Sequence, residues 1–466
     1  MRPARRRSRA RRTRTRRRKT EPMARTTICA LATPPGRGGV AVIRVSGPAV
    51  PAIARALAGR LPEPRRAVLA RFCDAGGDTL DEGLMLYFPA PRSFTGEDVL
   101  ELQGHGGEVV VDRLLRRLHA LGAHPARPGE FSERAFLNGR MDLTQAEAIA
   151  DLIAADSEAS AQAALRSLEG AFGDAVRELV ARVTRLRVQV EAAIDFSDEE
   201  IDFLADEAVA GQIGALIDQL QALRDKAGQG RVLRDGMQVV LAGPPNAGKS
   251  SLLNALTEDD SAIVTEVPGT TRDLLREHLH IDGMPLHVID TAGLRDDPDR
   301  IEAEGIRRAR AAMAEADRVL LIQDIREPPI DPAALALPGD IPLTRVYNKV
   351  DLSDEAPGPR RAGDEVAIAV SALTGVGLPA LRDHLKSVMG YGEAGSHFSA
   401  RRRHLDALAR AADHLALARR ALVEEMAGEI AAEELRLVQH NLGEITGEFT
   451  SEDLLGEIFS SFCIGK

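Results

Sequence analysis

The segment Gly243-Pro244-Pro245-Asn246-Ala247-Gly248-Lys249-Ser250 constrains this chain more than any other. It fits G-x-x-x-x-G-K-[ST]. The apolar run Val239-Val240-Leu241-Ala242 precedes it, and the helical pattern Ser251-Leu252-Leu253-Asn254-Ala255-Leu256 follows it. Strand, glycine loop and helix in that order form a phosphate cradle. Glycines let backbone N–H groups converge on phosphate oxygens, and the helix N-terminus adds favourable partial charge. Lys249 would reach the β- and γ-phosphates, and the Ser250 hydroxyl would hold Mg²⁺.

Three further segments sit where apolar strands end. Leu286-His287-Val288-Ile289 runs into Asp290-Thr291-Ala292-Gly293, Val346-Tyr347 into Asn348-Lys349-Val350-Asp351, and Val366 to Val370 into Ser371-Ala372-Leu373. Doubly wound parallel sheets bind ligands at that edge. Asp290 would hold Mg²⁺ through water, and the Gly293 N–H would sense the γ-phosphate. Asp351 sets base choice, because a carboxylate accepts from guanine N1–H and the 2-amino group together. Adenine leaves that buried acid unpaired, at a cost that rejects ATP. Asn348 and the backbone around Ala372 complete the base pocket.

The expected nucleotide contacts are therefore several short groups. The glycine loop supplies Asn246, Ala247, Gly248, Lys249, Ser250 and Ser251. The segment before the second strand supplies Thr265, Glu266, Val267, Pro268, Gly269, Thr270 and Thr271, with Thr271 as the second Mg²⁺ hydroxyl. Asp290, Thr291, Ala292, Gly293, Asn348, Lys349, Asp351, Ser371, Ala372 and Leu373 complete the set. Ras-like enzymes place a water-orienting Gln after the switch glycine, but Leu294 stands there. Arg272 reads as a partner for an acid such as Asp273 rather than as an arginine finger. Asn246 occupies the loop position used for potassium in cation-dependent GTPases, and potassium could supply the missing positive charge. The alternative for Asn246 is a loop-shaping residue.

Helical sequence brackets this segment on both sides. With 466 residues the chain is too long for one core. Residues 23–140 read as an α/β domain, with Val40 to Val45 as a buried strand, Leu84 to Phe88 as another, and Val109 to Leu121 as a helix ending at Gly122. From 141 to 234 the pattern is helical, with Leu143, Ala146, Ile149, Ala150 and Ile153 at helical spacing. Residues 235–390 carry the nucleotide motifs, and 391–466 return to helix. The expected architecture is an α/β N-terminal domain, an all-α domain, and a doubly wound Ras-like P-loop domain inserted into the latter.

Charge is uneven. Residues 1–20 carry eleven Arg, one Lys and no acid, although the whole chain is −10. The body is acidic and is not a generic polyanion binder. Residues 1–22 read as a disordered basic extension or a translation start placed too early, in preference to an RNA-binding arm or a targeting peptide. Cys29, Cys73 and Cys463 are too scattered for a disulfide framework or a zinc site. No stretch approaches a membrane span, so the expected compartment is a reducing cytoplasm.

Patches outside the nucleotide motifs resemble the MnmE (TrmE) family. They are Ala32 to Gly39, Phe94 to Gly107, Pro128-Gly129-Glu130-Phe131, Phe136 to Ala148, and the ending Phe462-Cys463-Ile464-Gly465-Lys466. The resemblance implies a folate-binding N-terminal domain that dimerises, a helical domain and an inserted GTPase domain. It implies a heterotetramer with the flavoprotein MnmG that acts on tRNA. The complex adds a carboxymethylaminomethyl or aminomethyl group at C5 of the wobble uridine, using 5-formyl- or methylene-tetrahydrofolate. Matching residues are Arg44, Glu101, Arg140 and Lys466 for the folate, and Asn246, Thr265, Val267 and Thr270 for potassium. Glu302 matches the glutamate that helps order the attacking water, with Glu304 as the alternative, and Cys463 a terminal thiol of undefined chemistry. Without the resemblance, Arg44, Arg140 and Glu101 read as plain surface ion pairs in preference to a folate site. Lys249, Thr271, Gly293, Glu302 and Cys463 are thus the catalytic candidates.

Two other functions compete. A ribosome-assembly GTPase of the Era or Der type would carry a KH module or a second GTPase domain, and neither is evident. A stand-alone folate-dependent transferase with a regulatory GTPase domain would need no flavoprotein.

Overall fold

The computed structural model describes residues 26–195, 207–257, 276–281, 284–290, 316–331, 341–362, 365–388 and 398–465. They fall into two compact units, Met1–Arg140 with Gly456–Lys466, and Met141–Leu455.

The first unit holds β1 (Ile28–Leu31), β2 (Gly38–Ser46), α1 (Val50–Ala58), β3 (Val68–Cys73), β4 (Thr79–Phe88), β5 (Val99–Gly106), α2 (Glu108–Ala120), β6 (His124–Pro125) and α3 (Glu130–Leu137). The strands order as β3-β4-β5-β2-β1-β6. Only the β1–β6 pair is parallel. Ile43, Val45, Phe72, Leu100 and Leu102 meet Ile53 and Leu57 of α1 and Leu118 of α2 in one core. The run from Val40 to Val45 differs from the buried strand expected of it. It alternates, with Ala41, Ile43 and Val45 buried but Val40 62% exposed. The cause is the strand's alternation, which sends Ala41, Ile43 and Val45 to one face and Val40 to the other. Arg44 and Glu101 are register partners on that other face, where Phe94 and Phe131 lie against Arg44.

The last residues of the chain belong to this unit. The Gly129 N–H donates to the Cys463 carbonyl at 3.4 Å, and Phe459 packs against the rings of Phe136 and Phe462. Gly129 has φ +65, and a Cβ there would stand 2.5 Å from the Phe459 carbonyl oxygen. Only glycine accommodates both the left-handed backbone and that approach.

The second unit begins with α4 (Leu143–Ala154), α5 (Glu158–Leu168), α6 (Ala171–Asp195) and α7 (Glu207–Asp235). It continues with β7 (Met237–Ala242), α8 (Lys249–Thr257), β8 (Arg276–Ile281), β9 (Met284–Asp290), β10 (Arg318–Asp324), β11 (Leu343–Asn348), β12 (Gly358–Ala362), β13 (Glu365–Ala369) and α9 (Leu378–Val388). It closes with α10 (Arg402–Val423), α11 (Gly428–Thr446) and the start of α12 (Glu452–Ser460). Helix α4 starts on a reciprocal cap, in which Asp142 accepts from the Gln145 N–H and Gln145 accepts from the Asp142 N–H.

Helices α6, α7, α10 and α11 share one core, including Val176, Leu179, Leu220, Leu408, Leu415, Leu435 and Leu442. The stripe expected on α4 is only half right. Leu143 and Ala146 are buried, but Ile153 is 47% exposed while Glu147 and Asp151 lie inside. Apolar periodicity loses here to ion pairing. Arg403 donates to both Glu147 carboxylate oxygens at 2.7 and 2.8 Å, and Arg234 and Arg401 donate to Asp151 at 2.7 and 2.8 Å. A buried carboxylate is tolerable once its lone pairs are met.

The sheet of this unit orders as β12-β13-β11-β10-β7-β9-β8. The five strands β13, β11, β10, β7 and β9 run parallel, and both edge strands are antiparallel. Val239, Leu241, Leu320, Ile322, Val346 and Ile368 face Leu252, Leu256, Leu381 and Leu385 of α8 and α9, while Val240, Val319 and Leu321 line the other side. Fully parallel inner strands are buried on both faces, which is why they read as continuous apolar runs. The second unit is therefore a doubly wound α/β sheet together with a helical bundle, and the first is a mixed-sheet unit.

Candidate nucleotide site

The glycine loop leaves β7 next to β10, and two glycines set its shape. Gly243 has φ +147 and Gly248 φ +91. A Cβ on Gly243 would lie 2.0 Å from the Ile322 carbonyl oxygen, and one on Gly248 would lie 2.2 Å from Asn348 Nδ2. Asn246 is exposed at φ +62. Asparagine tolerates the left-handed region better than most residues, so the chain reversal alone gives a reason for its presence. Lys249 opens α8 and is buried, and its Nζ donates to the Gly243 and Pro244 carbonyls at 3.0 and 2.9 Å. The ammonium thus already points into the loop that it would neutralise for a phosphate. Ser250 and Ser251 follow it, exposed, in the first turn of the helix.

Asn348 ties three loops together. It is 2% exposed; its Nδ2 donates to the Ala247 carbonyl at 2.9 Å, and its Oδ1 accepts from the Ala372 N–H at 3.0 Å. The same side chain therefore spans the glycine loop, the end of β11 and the loop after β13. Val350 N–H donates to the Val370 carbonyl at 3.1 Å, and Ser371 is fully buried in a tight turn whose Oγ accepts from the Thr374 N–H. Asp351 sits exposed in a short 3₁₀ turn, Val350–Leu352, directly after this clamp. Ala372 is half-buried and Leu373 is 86% exposed.

The loops after β7, β11 and β13 meet at one edge of the sheet, as the motif spacing requires. Asp290 closes β9 opposite Leu241 of β7. Thr265, Glu266, Val267, Pro268, Gly269, Thr270, Thr271, Thr291, Ala292, Gly293, Glu302 and Lys466 lie outside the described residues, as do Arg272 and Leu294.

Sequence reading missed Asp324 and Arg326 at this edge. Asp324 ends β10 in register with Asn348 and is 5% exposed. It receives the Arg326 guanidinium at 2.6 and 2.9 Å and the Lys349 ammonium at 3.1 Å. Hydrogen bonding from Arg326 holds its carboxyl well below the usual carboxylate range, against the opposing effect of burial.

In the first unit, Arg44 donates to Glu101 Oε1 at 2.9 and 3.1 Å, with both side chains about four-fifths buried. The Arg44 guanidinium lies 5.3 and 5.9 Å from the ring centres of Phe94 and Phe131. The ion pair expected of a structural role is present, but in an aromatic setting rather than on an open surface. Arg140 Nε donates to the Ser93 carbonyl at 3.1 Å, next to Phe94. Cys463 is exposed. Among the described residues no cluster of His, Cys, Asp and Glu suits a metal, and no helix is long and apolar enough to cross a membrane.

Comparison with known proteins agrees with this arrangement. A family model for the GTP-binding protein TrmE N-terminus matches residues 27–140, and one for the MnmE helical domain matches residues 143–463. The tRNA modification GTPase MnmE of Aeromonas salmonicida is 57% identical over 453 residues, spanning 95% of this chain and all of that protein. The protein of the same name from Vibrio cholerae matches to the same extent. Among solved structures, Aquifex aeolicus Era bound to GDP and aluminium fluoride is 24% identical over 39% of this chain and 67% of that one, at a TM-score of 0.24, and no argument rests on it. The two family models and the near-complete coverage place the chain in the MnmE (TrmE) family of tRNA modification GTPases.

Proposed function

We propose that this GTPase acts with the flavoprotein MnmG, as a heterotetramer built on a homodimer of this chain. The complex adds a carboxymethylaminomethyl or aminomethyl group at C5 of the wobble uridine of certain tRNAs, in the cytoplasm. The observation that carries the nucleotide part is the Asn348 clamp, because it brings the phosphate loop and the two base loops to one edge.

GTP is the substrate at that edge. The loop N–H groups and Lys249 receive the β- and γ-phosphates, and Asp351 accepts from guanine N1–H and the 2-amino group. Ser250 suits Mg²⁺, as an exposed hydroxyl in the first turn of α8 beside the Lys249 ammonium. Thr271 and Asp290 complete that reading. Asn246 suits potassium because its left-handed backbone leaves the amide exposed at the rim of the loop. Thr265, Val267 and Thr270 are the proposed companions. Potassium would supply positive charge near the phosphates, and Glu302 would hold the attacking water in place of the absent switch Gln. Equal hydrolysis in sodium and potassium would remove this role from Asn246.

The folate reading rests on Arg44 and Glu101. The Arg44 guanidinium lies over the Phe94 and Phe131 rings while it pairs with Glu101, so a flat pterin would find the half-buried Phe94 ring, a guanidinium and a carboxylate close together. A tetrahydrofolate derivative would supply the one-carbon unit there. Arg140 and Lys466 are the proposed partners of its glutamate tail, with Cys463 nearby in sequence but without an assigned step.

The test is mass spectrometry of wobble nucleosides from a strain lacking the gene, complemented with this chain. Modified uridine should return only when MnmG is also present. Return without the flavoprotein would favour a stand-alone transferase. No change in any wobble uridine would overturn the function.

A further inference from the structure

We propose that Asp324 is a positioning residue for guanine-nucleotide binding, acting through Lys349. The inference rests on the guanine-pocket reading of Asn348 to Asp351 and adds to it a residue outside every recognised motif. Strands β10 and β11 are parallel with Asp324 beside Asn348, and the Ile325 N–H donates to the Asn348 carbonyl at 3.0 Å. Asp324 is therefore fixed to the base loop by backbone before any side chain is considered. Its carboxylate is almost wholly buried, yet it opens on one side to the Lys349 ammonium at 3.1 Å.

Lys349 itself is in an unusual state. Its backbone is left-handed, with φ 64 and ψ 37. A residue with a Cβ loses roughly 1–2 kcal/mol in that region, so something must hold it there. The chain reversal at Lys349 is followed at once by the turn that carries Asp351. With the backbone pinned by the reversal and the ammonium pinned by Asp324, the four methylenes of Lys349 are held at both ends. They form a fixed apolar strip two residues before the acid that reads the base edge. A flat base needs such a surface against its face, and an unanchored lysine would have to give up rotamer freedom to provide it.

Arg326 is the competing explanation. It binds both oxygens of Asp324, and its own backbone N–H donates to Oδ1 at 3.0 Å. Its side chain is 52% exposed. In the proposal Arg326 neutralises the second face of the acid and is not needed for nucleotide binding.

Charge alone gives the opposite sign, which makes the proposal sharp. Removing an anion from the ligand edge of the sheet should strengthen the binding of a triphosphate. If Asp324 positions Lys349, removing its charge should weaken it. The experiment is titration of the full chain with GTP, GDP and ATP, together with steady-state hydrolysis, for wild type, Asp324→Asn, Arg326→Ala, Lys349→Ala and the Asp324→Asn/Lys349→Ala pair.

Asp324→Asn is expected to weaken GTP and GDP about tenfold, the size of one charge-assisted hydrogen bond. It should raise KM while kcat stays within about twofold, because the contact is made equally in ground and transition states. Arg326→Ala should bind within about twofold of wild type. The double variant should be no weaker than Lys349→Ala, because both changes remove one unit. Unchanged or tighter binding by Asp324→Asn would overturn the proposal. So would an equal loss in Arg326→Ala, or additive losses in the double variant, which need only folded protein and not a particular affinity. A wild-type chain that held ATP as tightly as GTP would instead overturn the guanine-pocket reading itself.

Discussion

At the nucleotide edge, Asp324 holds Lys349 and Arg326, whose side chains remain 30% and 52% exposed. In the helical core of the same unit, Glu147 holds Arg403 and His404, at 20% and 2%. Both acids are buried; Asp324 binds two basic side chains, and Glu147 meets Arg401 at 3.7 Å as well as Arg403 and His404. They differ in where the basic partners end. At the edge the cations reach toward solvent. In the core they are mostly enclosed, and Arg403 also donates to the Glu444 and Ile445 carbonyls at 3.2 Å. The Arg401 N–H donates to His404 Nδ1 at 3.0 Å, and the ring packs edge-on against Phe172. A cluster that ends in solvent can be asked to bind something. A cluster closed on itself can only hold the fold, and the two should respond to substitution on different readouts.

The largest expected effect lies at the edge. Asp351→Asn replaces a charged acceptor of two hydrogen bonds with a neutral amide whose NH2 faces one of those donors, so both charge-assisted bonds are lost and GTP affinity should fall by about 3–6 kcal/mol. Xanthosine triphosphate, which offers an oxygen where guanine offers an amine, should gain on GTP. Asp351 is exposed, so the thermal midpoint of the nucleotide-free protein should not move. Unchanged GTP binding would break the comparison at its functional end.

In the core the order of readouts reverses. Glu147→Gln keeps the shape but leaves the Arg403 guanidinium without its carboxylate in a closed site. Removing one partner of a buried pair costs about 3–5 kcal/mol. Urea unfolding followed on the helical part should show that loss, whereas nucleotide titration of the folded variant should match wild type. A variant that unfolded normally but lost GTP would mean that the core cluster belongs to the nucleotide cycle.

The two clusters also differ in how far the chain announces them. The glycine loop, Asp290, the Asn348 segment and Ser371 were legible because their spacing is fixed by strand ends, and a parallel sheet puts all strand ends on one edge. Asp324 was not, because nothing in Ile322-Gln323-Asp324 distinguishes an acid that anchors a lysine from one facing water. Glu147 and Asp151 were hidden more deeply. Apolar periodicity predicted the face with Ile149 and Ile153, and the partners that reverse that choice come from Arg234 and from Arg401, Arg403 and His404, far along the chain. Local pattern cannot show a compensation that only the tertiary fold supplies. Val40 exposes the same limit in a strand, where one-sided burial follows from alternation rather than composition.

The smallest expected effect is a pH dependence confined to the core. Burial pushes the His404 ring down to about 4 from its ordinary 6.5, and the Arg403 guanidinium adds to that, outweighing the Glu147 carboxylate. The hydrogen bonds agree: Nδ1 accepts from Arg401, so Nε2 carries the proton and donates to Glu147 at 2.9 Å, which describes a neutral ring. A folded state that disfavours protonation is favoured above the unfolded value and loses that advantage as pH falls through 6.5 toward 4. For Glu147, burial acts to raise its carboxyl, but Arg403 and His404 outweigh it and hold it below the ordinary carboxylate value. Its contribution is therefore kept throughout that window and lost only at lower pH. Between pH 7 and 5.5 the helical part should lose about 1 kcal/mol through His404 alone. His404→Gln should flatten that slope while lowering the whole curve. Asp324, held far below the same window, leaves GTP affinity flat there by its own titration. A stability curve that stayed level from pH 7 to 5.5 in the wild type would mean that the ring is charged in the folded protein, and that the core cluster is closed by an ion pair rather than by a neutral donor.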